Sequence, residues 1–459
     1  MRPDSITVTA DLGAPTERVL ASDRASIEDG TPVIIGGVQI RWSRPASVLH
    51  PDPTEASLTI LKPRDYTWPD LGIDTRLTIA WTSGGIETVV FDGYVDRIAS
   101  QPPERRRIRG RLVHTVTIDA IDPIGRLSRV RFGEAPWGGQ SSASRVFKLR
   151  PHLPDLSSYY LTDIAQPPNT DDRYTRARYL DVDSRSPIEV AQELVIGHRR
   201  VLMAGTSPAR PTVNHYPIAS RTLGAIKLEN GTATYVPASG QVASVELPAW
   251  AVDDTERVQS FDSAISSVTV NYQLGAMDRP DTITRDVSRT WGDPSAPGTS
   301  ISIDTQSVSV QYLPVPYSDE QFQDLQPLDP QHAEFWASLV TPNKRGIVRL
   351  GTLRIPWNRL GDEHAATMRT LTHIADRYGT AVHFTGITPD VSPLQVPIAG
   401  TLTLSGDPDE CVLELEVEPF ELSADRAVEW RQFGLPTGAV RLYQSAFTFH
   451  ESAYASEVI

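Results

Sequence analysis

The groups in this chain that could carry chemistry are a few histidines, two acidic clusters, one cysteine, nine tryptophans and one run of arginines. His364 and His373 fall in one apolar-periodic segment. Nine positions apart, they point about 180° from each other around a turn of 3.6 residues, so they cannot grip one ion. Asp253, Asp254 and Glu256 offer oxygen ligands without the spacing of a calcium loop, and a solvated turn suits them better. Asp407, Asp409 and Glu410 sit too close together in a Pro-containing turn to face each other across a glycosidic bond. Cys411 continues the apolar face of a strand and reads as an inert core residue. Trp68, Trp137, Trp291 and Trp357 could stack on sugars, although core or interface burial is the commoner fate of tryptophan. Arg105, Arg106, Arg107, Arg109 and Arg111 form either a solvated hairpin tip or a contact with an acidic neighbouring subunit. With Trp137, the first four of these are the candidate subunit-contact residues.

No phosphate-cradling glycine loop, no paired histidines around a glutamate and no nucleophile elbow occurs in the sequence. No catalytic residue, metal or cofactor is therefore expected, and the chain is read as a non-enzyme. Its 459 residues exceed a single core, so several domains are expected. With one cysteine no internal disulfide can form, and the fold must stand on packing. A net charge of −14 disfavours nucleic-acid binding over a broad face. The longest apolar stretch, near Val33 to Ile40, is broken by two glycines and is too short for a membrane span. The N-terminus reads as a first strand and not as a signal peptide, so the chain is expected to be cytosolic when made.

The expected fold is mainly β with a few helices (α+β), two β-barrel domains joined by a helical connecting region. Residues 1–121 read as the first barrel, from short alternating strands such as the one carrying Ile6, Val8 and Ala10 and the one carrying Leu112, Val116, Ile118 and Ala120. Residues 122–186 read as the connecting region. Asp122 caps a helix with Pro123 in its first turn and Ile124, Leu127 and Val130 on one side; a second helix spans Ser142 to Leu149. Residues 187–318 read as the second β domain, entered by a helix whose Ser186 and Glu189 form a capping box and whose Ile188, Ala191, Leu194 and Val195 are buried. Residues 319–379 form another connection ending in a long helix from Asp362 to Tyr378. Residues 380–420 return two strands to the second β domain, and 421–459 form a docking tail.

Three stretches resemble the tail hub proteins, or minor tail proteins, of phages that infect Actinobacteria. They are GVQIRWSRPASVLHPDPTEASLTILKP with LGIDTRLTIAW and VVFDGYVDRIAS, IDPIGRLSRVRFGEAPW with its loop from Gly133 to Trp137, and SRSPIEVAQELVIGHRRVLMAG with SAISSVTVNYQ and TLTHIADRYGTAV. The second is the most specific. Ser266-Ser267 and the last forty residues depart from the pattern. The resemblance implies a homotrimer whose paired barrels make a ring at the tail tip or baseplate. Such a ring adapts a sixfold tube to a threefold tip, holds tube proteins above and tip or fibre proteins below, and lets DNA pass through its lumen. It would be a virion component assembled in the host cytoplasm. The other reading kept open is a carbohydrate-binding β protein, either receptor-binding in the tail or a free lectin.

Overall fold

Apolar alternation in the first 121 residues becomes a closed ring of strands in a computed structural model. The structure describes residues 1, 3–11, 17–43, 51–67, 71–100, 107–152 (save 109 and 134), 176–197 (save 178), 200–206, 211–217, 224–229, 232–237, 244–258 (save 254 and 255), 265–275, 281–290, 299–305, 318–325, 349–386 (save 375, 376, 378 and 379), 394–419 and 441–442. The strands of the ring are β1 (Ser5–Ala10), β2 (Arg18–Ser22), β3 (Val33–Ser43), β4 (Glu55–Pro63), β5 (Arg76–Ser83), β6 (Ile86–Ser100) and β8 (Arg111–Ile121), with the short β7 (Arg107–Ile108) turning into β8. Pairing runs β1–β2–β3–β4–β8–β6–β5 and back to β1. The ring closes between β2 and β3 through one parallel pair, Ser22 with Val33, and closure is how a β barrel limits pairing with stray strands. The sequence marks β2 poorly: its five residues are too few to show a period.

The later strands are β9 (Arg200–Thr206), β10 (Pro211–Pro217), β11 (Ser244–Pro248), β12 (Ile265–Gly275), β13 (Thr282–Thr290), β14 (Thr299–Thr305), β15 (Leu353–Pro356), β16 (Ala381–Thr385), β17 (Leu394–Leu404) and β18 (Val412–Pro419). Shorter pairs, such as Gly224–Glu229 with Thr232–Pro237, complete a mainly β chain. β11, β16, β17, β18 and β15 pair in that order. β12 lies between β13 and β14 in a separate three-stranded sheet.

β3 joins the barrel to the later strands. Its Gly36 and Gly37 both take positive φ, 67° and 83°, and form a bulge that shifts the register against β4 between Ile35 and Val38. Before the bulge the free side of β3 touches β2 at Val33; beyond it, Val38 to Ser43 pair with β17 from Leu404 to Ala399. Barrel and later strands thus share one continuous sheet and one apolar core. Ile6, Ile79 and Phe91 belong to the same cluster as Val268, Leu353, Trp357 and Leu413. Each such side chain contributes ~1.5 to 3 kcal/mol on burial.

Among the described residues five short α-helices accompany the strands: α1 (Pro123–Ser128), α2 (Ser142–Leu149), α3 (Pro187–Gly197), α4 (Asp319–Gln323) and α5 (Ala365–Thr372). α1 opens as its sequence demands, with the Asp122 carboxylate accepting from Gly125 N at 2.9 Å. α3 carries a complete capping box, Glu189 N donating to Ser186 Oγ and Ser186 N to Glu189 Oε2. Ile188, Ala191 and Leu194 are buried as their spacing requires, in a second core with Ile124, Leu127, Phe132, Trp137 and Leu149.

Three expectations need correction. α1 stops at Ser128, which leaves Val130 42% exposed and not on the buried side. In β8 the fully sheltered residue near the arginine end is Val113, packed with Ile27 and Leu61 in a small outer cluster, while Leu112 is half-buried. The long helix from Asp362 to Tyr378 is instead a 3-10 turn at Asp362–His364 followed by α5, which ends at Thr372 because His373 turns to an extended ψ of 131°. Thr370 and Thr372 bond back to the carbonyls of Ala366 and Met368, which weakens a helix. Tertiary contacts then outweigh helical continuation: Ile374 N donates to Val89 O and its side chain enters the second core.

Candidate functional site

An open groove of about 590 Å³ lies where the barrel meets the later strands. Its floor is made by alternate residues of adjacent strands, which point to the same side of a sheet. Across β4, β3, β17, β18 and β15 the register aligns Glu55, Arg41, Thr401, Glu414 and Arg354 in one row. The next outward row adds Ser43, Ala399 and Glu416, and Asp52 closes one wall with its carboxylate accepting from the Ser43 hydroxyl. The described lining therefore holds four carboxylates, Asp52, Glu55, Glu414 and Glu416, against one guanidinium, Arg41. Arg354 sits at the far end of the row, 3.8 Å from Glu414 and 2.7 Å from Asp253. The arrangement favours cations.

Under this groove the seam is held by an aromatic fitted between a glycine and a cation. Trp42 faces Gly400 across the β3–β17 pair, and a Cβ on Gly400 would come 2.4 Å from the indole, so only glycine fits. The Arg377 guanidinium lies 4.6 Å from the ring centroid and donates to Val90 O at 3.1 Å and Thr54 Oγ1 at 2.8 Å. Thr54 N in turn donates to Asp122, which is wholly enclosed. Burial pushes the Asp122 carboxyl up to about 6, against the opposing pull of the Gly125 and Thr54 amides and the Arg377 charge.

A second buried ionic cluster ties β5 and β6 to β9. Asp92, fully buried, receives two hydrogen bonds from Arg76, at 2.9 and 2.6 Å, one from Thr78 and one from Thr206 at 2.5 Å. Burial raises its pKa, and the bonds from Arg76 and Thr206 oppose that rise. Trp81 adds a further tie, its Nε1 donating to Thr372 and its ring lying edge-on to Trp357 at 4.9 Å.

Of the candidate subunit-contact residues, Arg105, Arg106 and Arg109 lie outside the described residues. Arg107 stands in β7, paired with Leu112. Trp137 is 2% exposed, exchanges backbone hydrogen bonds with Leu180, meets Phe132 edge-on at 4.9 Å and carries the Lys148 ammonium 5.2 Å from its ring. Its surface is consumed within the chain, as the organiser of the second core. His364 lies against Trp250, while His373 caps α5. Asp253 pairs with Arg354 and Arg359; Asp254, Trp68 and Trp291 lie outside the described residues. Asp407 to Glu410 form a closed turn in which Asp407 accepts from Asp409 N and Glu410 from the Ser405 hydroxyl. Cys411 is buried and its thiol is pushed up to about 11, chiefly by desolvation. Among the described residues no group of three or more His, Cys, Asp or Glu could hold a metal ion, and no helix is long and apolar enough to cross a membrane.

The groove glutamates, the Trp42–Gly400 contact and the Asp92 cluster were not singled out by sequence. A glycine inside the apolar run of β17 was the available signal for the second of these; Glu414 and Glu416 showed only as the polar side of an alternating strand.

No protein-family model and no curated protein matches the chain. Solved structures do. A tail protein from Neisseria meningitidis is similar with a TM-score of 0.45 and 12% identity, over 92% of this chain and 99% of that one. The 43 kDa tail protein of prophage MuSo2 from Shewanella oneidensis gives 0.43 and 11%, over 92% and 98%. A component of the Escherichia coli type VI secretion system, described as structurally similar to the T4 bacteriophage tail proteins gp27 and gp5, gives 0.44 and 9%, over 85% and 77%.

Proposed function

We propose that this chain is a structural protein of a phage tail, the hub at the distal end, and that it acts without catalysis. In this reading it assembles as a homotrimer whose ring adapts the sixfold tube to a threefold tip. Tube proteins sit above it, tip or fibre proteins below, and DNA passes through the lumen. The observation that carries the reading is the seat of the Gly133–Trp137 loop. The stretch most specific to the tail-hub resemblance packs its tryptophan into a core of its own between α1, α2 and α3, beside a closed N-terminal barrel. The fusion of barrel and later strands through β3 and β17 supports it, because a ring that bears load needs domains that do not swing. A net charge of −14 suits a conduit that must not retain DNA.

Imaging of particles at side-chain resolution tests this. The hub reading expects this chain at the tail tip in three copies around the axis. Its absence from the particle, or its location along the tube, overturns the reading.

The carbohydrate-binding alternative has one observation in its favour. Trp250 is 59% exposed, edge-on to His364 at a centroid distance of 5.8 Å, and an exposed indole can stack on a sugar. That reading expects host wall polysaccharide to change the fluorescence of the wild-type protein but not that of Trp250→Ala.

A further inference from the structure

We propose that copies of this chain meet through the helical unit: the outer side of α2 in one copy, carrying Phe147 and Lys148 with Arg150 beyond, docks on Ile73, Val130 and Glu55 of the next. This rests on the trimeric reading above and names the contact that closes the ring.

The receiving side is built around a turn that cannot relax. Gly72 N donates to Thr75 Oγ1 at 3.0 Å and Thr75 N to Gly72 O at 3.3 Å, while Asp74 between them takes a φ of +73°, rare for a residue with a side chain. Val95 O accepts from Asp74 N at 2.8 Å, and Arg126 of α1 reaches both oxygens of the Asp74 carboxylate at 2.6 Å. A strained backbone persists where its surroundings over-determine it, and here the outcome is Ile73 held outward, 63% exposed. Val130, also exposed, follows the end of the same helix beside Arg129, which pairs with Asp96. The Arg129 pKa is raised by that bond and, to a smaller degree, by the Glu55 carboxylate, so the end of the acidic groove adjoins this surface.

The docking side is the part of α2 that its own core leaves over. Arg145, Val146 and Leu149 are buried, which turns Phe147 and Lys148 outward. Phe147 is 65% exposed, the Lys148 ammonium stands 5.2 Å from the Trp137 ring centroid, and the exposed Arg150 follows in the next turn. Ile73 and Phe147 are too exposed to cover each other within one copy.

Charge and shape choose a second copy as the occupant. An aromatic ring flanked by two cations meets two aliphatic side chains flanked by Glu55, and the groove beyond adds Asp52. Apolar contact at the centre supplies affinity, and opposite charges around it steer the approach. The two sides differ, so the contact is heterologous and one copy engages two neighbours. They also adjoin: His152, just past Arg150, meets Phe132 edge-on at 4.8 Å, and Phe132 lies just past Val130. Adjoining sides make a wedge, and wedges of about 120° close at three copies.

The test is the mass of the full-length protein in solution across a range of concentrations and salt. Wild-type protein is expected to form a three-copy species, more weakly as salt rises. Ile73→Asp and Phe147→Asp are each expected to weaken association by about tenfold or more, while Ile73→Val and Phe147→Tyr stay within about threefold of wild type. Mixing the Ile73→Asp and Phe147→Asp proteins leaves one intact contact between them, so the mixture should give a two-copy species that neither forms alone, which misfolded proteins could not do. A trimer indifferent to both aspartates overturns the docking and leaves the trimer standing. A wild-type dimer overturns the head-to-tail arrangement, and a wild-type protein monomeric at every concentration overturns the contact; the location of the chain at the tail tip is read separately from particle images.

Discussion

The five strands that join the barrel to the later sheet carry two faces of opposite chemistry. On one, Ala56, Ile40, Leu402, Leu413 and Ile355 align across β4, β3, β17, β18 and β15, all buried. On the other, one residue along each strand, the aligned row is Glu55, Arg41, Thr401, Glu414 and Arg354. A register slip of one residue would exchange the two rows, so the buried row fixes the pairing and with it the place of every charge outside. Stability resides on the inner face. The outer face adds little to it, because exposed ion pairs contribute only ~0 to 1 kcal/mol.

That division is broken most directly at Trp357, which is fully buried against Trp81. Trp357→Ala should lower unfolding free energy by ~3 to 5 kcal/mol, read from the denaturant midpoint. A loss no larger than that of an outer-face substitution would end the distinction. Next comes Asp92, whose partners span barrel and β9. Asp92→Ala leaves the Arg76 guanidinium buried without its carboxylate and should cost ~3 kcal/mol. Restored stability in Asp92→Ala with Arg76→Met would show that the penalty belongs to the stranded charge.

Asp122 sharpens the comparison through pH. Its folded pKa, about 6, stands above the ordinary 3.8. Below 3.8 both folded and unfolded chains hold the proton; between 3.8 and about 6 only the folded chain does, so the stability from this group falls as pH rises through that window and is gone above it. Asp122→Asn removes the titration, so it should gain on wild type by ~2 to 3 kcal/mol between pH 4 and pH 7. A pH-independent difference between the two melting curves would contradict the raised pKa.

These sites divide by how far their causes lie along the chain. The Asp122 cap and the Ser186–Glu189 box were legible because each is written within four residues. The barrel strands were legible because alternation is local. Nothing local records that β3 pairs with a strand some 360 residues later, that Asp92 meets Thr206, or that Arg377 lies on Trp42. The over-long helix at Asp362 to Tyr378 failed for the same reason: its apolar spacing continues, but Ile374 and Arg377 are claimed by the second core and the seam. The groove was invisible because its glutamates look like any solvated strand face until five strands are set side by side.

The smallest expected effect is also the most discriminating. Glu414 is 46% exposed, lies 3.8 Å from Arg354 and packs against nothing apolar in its row. Glu414→Gln should change unfolding free energy by less than ~0.5 kcal/mol, within the range of surface ion pairs. Its neighbour along the strand, Leu413 of the buried row, is fully enclosed, and Leu413→Ala should cost ~2 to 5 kcal/mol. Adjacent residues on one strand thus form a matched pair, one position apart and on opposite faces. If Glu414→Gln destabilises as much as Leu413→Ala, the charged row is part of the fold and the division between the two faces fails. If Glu414→Gln leaves the melting curve in place, charge changes there can be read as effects on the surface alone.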